Sequence, residues 1–236
     1  MPRVVAVCAL LLVGVSSAEA QSFLSIFTEL PSDARHLVTK DSAVVLGSAG
    51  ALMVPLHPND GVIARHTRSD GDGLAGWLVP GAYVGDAGWQ SAGGLATYLV
   101  GRLRHSTRVG ELGADLLRAQ ILNGAMTDGL KVIVQRTRPD GDPYSFPSGH
   151  TSSAFATAAV LQKHLGWKVG VPAHVMALYV GSSRLAASRH FATDVLFGAA
   201  LGITAGRAVT FKVHRQQLSV TPAISPGQVG VSASLH

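Results

Sequence analysis

The chain has 236 residues, 47% of them apolar and only 14% charged, with a net charge of +5. That length supports one sizeable core with a small appendage rather than several domains, and the low charge raises the question of a membrane. The basic balance suits an anionic partner, and nucleic acid ranks last among these because no Lys/Arg run is interleaved with aromatics.

Residues 1–20, MPRVVAVCALLLVGVSSAEA, read as a secretory signal peptide. Arg3 supplies the positive start, Val4 to Val15 is too short to span a bilayer, and Ala18-Glu19-Ala20 offers small residues before Gln21. The expected protein is therefore exported, periplasmic or secreted. Cys8 is the only cysteine and lies inside this segment, so the mature chain would hold no disulfide, thiol nucleophile or thiolate metal site.

Residues 21–72 form a lead-in with a first helix. Ser42 to Val54 reads as a buried helix capped by Asp41 or Ser42 and ended by Pro55. His57 to Asp72, rich in charge, Pro, Gly and Asn, reads as a loop. Residues 73–212 hold the main helical domain. Leu74 to Leu103 is apolar but broken by glycines and Pro80. Glu111 to Val134 has Leu112, Leu116, Leu122, Met126 and Ile133 near helical spacing. Pro139 to Pro147 is a loop, and Thr151 to Leu165, Gly170 to Ala186 and Thr193 to Phe211 read as helices. In the tail, residues 213–236, LSVTPAI and QVGVSASLH flank Pro226-Gly227 and alternate as a β-hairpin would; the alternative is an unstructured tail. No stretch is a clean run of about 20 apolar residues. The pattern fits the buried helices of a soluble exported bundle with surface contact to a membrane.

Three stretches carry chemistry. In KVIVQRTRP, Lys131 and Arg138 are seven residues apart and would project from one helical face, while Arg136 lies off that face and is solvated or paired elsewhere. Two cations near a helix end make an anion clamp, although a structural salt-bridge face has the same pattern. In PSGHTSS, Ser148 is a natural N-cap, the amides of Gly149 and His150 would be free to face an anion, and His150 stands on the rim. A serine-hydrolase elbow would read GxSxG, which is absent. In SRLAASRHFATD, His190 and Asp194 are four apart and can meet on one helical face, where Asp194 would fix the imidazole tautomer. Arg184 joins the same site only if the chain breaks before His190, and Arg189 falls outside it.

Taken in order, K-x6-R-P, PSGH and SR-x5-H-x3-D resemble the signature of the type 2 phosphatidic acid phosphatase and vanadium haloperoxidase superfamily. The match runs from Lys131 to Asp194 without a gap or substitution. The resemblance implies a mainly α, single helical bundle domain. It implies His190 as nucleophile forming a phosphohistidine, Asp194 as its orienting partner, and His150 as general acid and then base. It implies Lys131, Arg138 and Arg184, helped by Ser148 and the Gly149 amide, as ligands of the phosphoryl oxygens, with no metal or cofactor. The implied reaction is hydrolysis of phosphomonoesters or pyrophosphates, lipid phosphates among them. The alternative is a haloperoxidase holding vanadate on His190; a non-catalytic anion-binding protein is a third reading. GSSRLAASRHF departs from the secreted acid phosphatases of the superfamily, which carry a closer aromatic-His pair, so lipid and soluble substrates both stay open.

Overall fold

The computed structural model describes residues 23–68 and 77–211, and the backbone of 218–225 and 228–235. The signal-peptide reading of 1–20 lies outside the described residues. The helices are α1 Ser25–Thr28, α2 Leu30–Arg35, α3 Lys40–Leu56, α4 Asp60–Thr67, α5 Pro80–Val84, α6 Ala87–Leu103, α7 Thr107–Val134, α8 Gly149–Leu165, α9 Trp167–Ala186 and α10 Ala192–Val209, with a 3₁₀ turn at His57–Asn59. The tail forms the expected hairpin: β1 Leu218–Ser225 and β2 Gln228–Leu235 pair antiparallel, Leu218 opposite Leu235 and Ser225 opposite Gln228.

α8 is central and packs against α7, α9 and α10. Its neighbours approach closely because the facing residues are small. Leu116, Ala119 and Leu122 of α7 meet Ala156 and Val160 of α8 and Ala208 and Val209 of α10. On the other side Ala154, Phe155 and Ala158 meet Ala177 and Val180 of α9. The tightest crossing is at Gly202 of α10, where an added Cβ would stand 2.1 Å from the Ser152 carbonyl oxygen. Only glycine permits that backbone contact. One turn nearer the helix start, Gly198 faces the Ser148 carbonyl in the same way, so this crossing sets the distance between the starts of α8 and α10.

Several expectations are corrected. α3 is capped by Thr39, whose hydroxyl accepts from Ser42 N at 3.2 Å, and it runs through Pro55. It is not buried: Val44, Leu52 and Val54 face outward. The expected loop from His57 is a 3₁₀ turn followed by α4; its charged residues are those of an ordinary helix, and Asp60 and Ala64 turn inward. Ile133, one of the residues at helical spacing, is 78% exposed beside Val132 and Val134. α9 is also open on one side, with Trp167, Val171, Val175 and Leu178 exposed. Among the described residues one helix, Ala192–Val209, is long and apolar enough to cross a membrane, and 61% of it is buried inside the bundle.

The N-terminal helices are latched by a buried cluster of charge. Arg118 of α7 is 4% exposed and meets Asp33 of α2 at 3.1 Å, together with Glu29 and Asp115. Asp115 also takes His164 Nε2 at 2.8 Å. His164, given no role in the sequence, thus ties the end of α8 to α7.

Candidate active site

Four chain segments converge at one end of the bundle: the end of α7 with the loop after it, the start of α8, the end of α9, and the turn into α10. α7 stops at Gln135, which takes a left-handed conformation at φ 49°. Arg138 therefore lies in the following loop, and the expectation that Lys131 and Arg138 share a helical face is corrected. The loop folds back instead, with Arg138 N donating to Asp142 O at 2.8 Å and Ser145 N to Arg136 O at 2.7 Å. The two cations still feel one another: burial lowers the Lys131 pKa, and the Arg138 charge lowers it further.

α8 begins at Gly149. Ser148 occupies the cap position but its hydroxyl caps no amide; it bonds Thr151 Oγ1 at 2.9 Å and is fully buried. Ser148 N donates to the backbone oxygen of Asp194 at 3.0 Å, joining the starts of α8 and α10. The side of Gly149 lies against Lys131, whose Nζ would be 3.8 Å from an added Cβ. This places the first amides of α8, with the positive end of the helix dipole, beside a lysine.

The chain breaks between Arg184 and His190, as the shared site requires. α9 ends at Ala186 and Ser188 turns at φ 54°. Arg184 is buried; Arg189 turns away to Asp140 and Asp142 at 2.9 and 3.0 Å. A cavity of about 360 Å³ lined by Arg68, Pro139, Asp140 and Ala186 to Ser188 lies beside this break.

His190 precedes α10 rather than riding on it, which corrects the shared helical face with Asp194. Its Nδ1 donates to the Ser145 carbonyl at 2.7 Å, and Asp194 Oδ2 stands 3.8 Å away. A carbonyl can only accept, so Nδ1 carries the proton and Nε2 keeps its lone pair. Burial lowers the His190 pKa against the opposing pull of Asp194 and the Ser145 carbonyl, which keeps the imidazole neutral and nucleophilic. Asp194 is fully buried and held by Ser145 Oγ, by Phe191 N at 2.8 Å and by Arg136 Nη1 at 2.6 Å. Those donors fix the carboxylate behind His190 and keep it from neutralising the clamp.

His150 has its pKa lowered to about 4, first by burial, then by Arg184, with His190 and Lys131 adding to the effect. His150 thus feels Arg184, His190 and Lys131, and Arg138 in turn acts on Lys131, Arg184 and His190. Three fixed cations surround two neutral imidazoles, and an anion placed among them relieves their repulsion. Sequence reasoning missed Ser145 and Asp60; it placed Arg136 off the clamp face, and the structure pairs it with Asp60 and Asp194. Ser145 acts through its backbone and a partner far along the chain, and no spacing rule announces that.

Residues 112–217 match the family model described as PAP2 superfamily. A lipid A 1-phosphatase from Porphyromonas gingivalis is 42% identical over 99 residues, which is 40% of this chain and 22% of that protein. A phosphatidylglycerophosphatase B from Bacillus subtilis is 40% identical over 90 residues, covering 31% of this chain and 44% of that protein. The chain thus spans less than half the length of either curated relative. Two crystal structures share the fold. One is a transmembrane PAP2-type phosphatidylglycerolphosphate phosphatase from Bacillus subtilis, with a TM-score of 0.57 and 22% identity over 82% of this chain and 98% of that one. The other is LpxE from Aquifex aeolicus, with a TM-score of 0.52 and 24% identity over 63% of this chain and 92% of that one.

Proposed function

From a chain that carries a PAP2-superfamily domain over residues 112–217, we propose a phosphatase that hydrolyses lipid phosphomonoesters or pyrophosphates through a phosphohistidine, without a metal or cofactor. One observation carries this reading: the Ser145 carbonyl fixes the proton on Nδ1 of a buried His190, leaving a nucleophilic Nε2 at the end of the bundle where Arg138 acts on His190 and Arg184 and Lys131 act on His150. Nε2 attacks phosphorus, the phosphorus–oxygen bond to the alcohol breaks, and the alcohol oxygen takes the proton of His150. Water then attacks the phosphohistidine, His150 accepts its proton, and the Nε2–phosphorus bond breaks to release phosphate. The three cations and the Gly149 amide stabilise the charge that builds on the equatorial oxygens. Ser148, held by Thr151, serves by shaping the turn.

A lipid substrate is supported by the exposed apolar side chains around the bundle and by the lipid phosphatases among the relatives. On one side of α9, outward-facing Trp167, Val171, Val175 and Leu178 suit membrane association. Export of the protein rests on the sequence of residues 1–20.

Release of phosphate from phosphatidate, phosphatidylglycerophosphate, a polyprenyl pyrophosphate and nitrophenyl phosphate, with and without detergent micelles, tests the proposal. Faster release from a micellar lipid than from nitrophenyl phosphate is expected. Preference for nitrophenyl phosphate contradicts the lipid assignment; bromide oxidation with vanadate and peroxide, without phosphate release, contradicts the phosphatase.

The low pKa of His150 has a kinetic consequence. At neutral pH the free protein holds a neutral His150, so the proton that His150 passes to the leaving group arrives with the substrate monoanion, whose second pKa is about 6. The ratio kcat/KM is expected to fall roughly tenfold per pH unit above that value. A flat profile from pH 6 to 8 would show that His150 is already protonated in the free protein.

A further inference from the structure

Asp60 stands outside every motif and outside the family-matched span, yet it is 2% exposed and reaches the turn that carries the nucleophile. Its Oδ1 accepts from Thr193 N at 3.1 Å, and its Oδ2 accepts from Thr193 Oγ1 and from Arg136 Nη2 at 2.8 Å. His57 Nδ1 lies 3.4 Å away on the exposed side. Arg136 is thereby gripped between two carboxylates: Nη1 donates to Asp194 Oδ1 at 2.6 Å and to Thr193 Oγ1 at 2.7 Å, and the guanidinium lies 4.1 Å from the centre of the Phe191 ring.

We propose that Asp60 is a positioning residue of the phosphatase reaction: it holds Arg136 and Thr193 so that Asp194 stays behind His190. This rests on the function proposed above. Thr193 N is one of the free amides at the start of α10, and Asp60 satisfies it because Phe191 at the cap position has no side-chain acceptor. Asp194 sits one residue further along the same turn, and His190 two residues before Ala192. With Asp60 in place, the Arg136 fork is shared between two carboxylates. Without it, Arg136 faces Asp194 alone and draws that carboxylate from Ser145 Oγ and Phe191 N. Asp60 also brings negative charge to the turn that holds His190. The charged groups that act on that imidazole are Asp194 of α10, Arg138 of the loop and His150 of α8, with Arg136 bonded to Asp194 and Arg189 preceding His190 in the chain. Among the described residues Asp60 meets Thr193, Arg136 and His57 rather than the clamp cations, so phosphate binding should be spared.

The experiment is steady-state kinetics of the full-length protein on a lipid phosphate in mixed micelles, from pH 4 to 8, for wild type, Asp60→Asn and Asp60→Glu. Asp60→Asn is expected to lower kcat by about 10-fold to 100-fold, the scale of a small misplacement of reacting groups, with KM within about twofold of wild type. Loss of the negative charge favours neutral His190, so the acid limb of kcat moves to lower pH. Asp60→Glu, which keeps the charge, returns the limb toward its wild-type position. A lower melting temperature with wild-type kcat and an unmoved acid limb means a merely structural role and overturns the proposal. Should Asp60→Asn fail to fold, Arg136→Lys decides: it keeps the charge but removes the fork that joins Asp60 to Asp194, and unchanged kcat then overturns the proposal. A wild-type protein that releases no phosphate overturns the function and this role together; an active wild type with an unaffected variant overturns only the role.

Discussion

The His190→Ala protein is expected to fold and bind phosphate but to lose turnover by a factor on the order of 10⁴ or more, the scale of removing a nucleophile from a cooperating set. The reason is positional as much as chemical. His190 is 2% exposed, its tautomer is set by the Ser145 carbonyl, and its position is backed by Asp194. No other described imidazole shares a pocket with His150 and the three cations, so nothing can take over the attack. The substitution leaves the Ser145 carbonyl without its donor, at a cost of about 1–3 kcal/mol. Phosphate binding, read by its protection against thermal unfolding, should persist because Lys131, Arg138 and Arg184 remain. Activity near wild type in this variant would exclude His190 as nucleophile.

The largest effect on stability is expected at Arg118, far from the chemistry. Arg118→Met should cost about 3–5 kcal/mol, because it removes the guanidinium shared by Asp33 and Asp115, both almost fully buried, and by Glu29. That corresponds to a drop in melting temperature of roughly 10 °C for a chain of this size. Keeping these carboxylates buried after their shared guanidinium is gone is what costs, rather than the loss of attraction. Adding Asp33→Leu to Arg118→Met should therefore recover part of the loss. Arg118 precedes Lys131 on α7 by 13 residues, about 20 Å of helix, so the remaining folded protein should keep its kcat at a temperature well below its transition. An unchanged melting temperature in Arg118→Met would mean that the α1–α2 latch adds nothing.

The main helices were legible because their periodicity and punctuation agree. Pro80 separates α5 from what precedes it, Gly166 divides α8 from α9, and alternation in the tail marks the paired strands. The segment from His57 was not legible as helix because Pro58 and Asn59 at its start hide the helical turns that follow. Three parts of the site were legible as composition but not as geometry. Lys131 and Arg138 meet because a loop folds back after Gln135, not because a helix continues. His190 and Asp194 meet across the start of α10, where Asp194 accepts from the Phe191 amide. Ser148 reads as a cap and acts as a buried spacer. What sequence spacing cannot show are the partners separated by long stretches of chain: Ser145 under His190, and Asp60 with Arg136 under Thr193. Those contacts exist only after α8 and α10 have packed through Gly198 and Gly202.

The central claim is that phosphorus passes through His190. Rapid quenching of the wild-type protein during turnover of a lipid phosphate labelled at phosphorus, followed by peptide mapping, tests it most directly. The expected result is an alkali-stable, acid-labile label on the peptide containing His190, absent from His190→Ala. Steady release of phosphate with no labelled His190, or a label on another residue, would contradict the account.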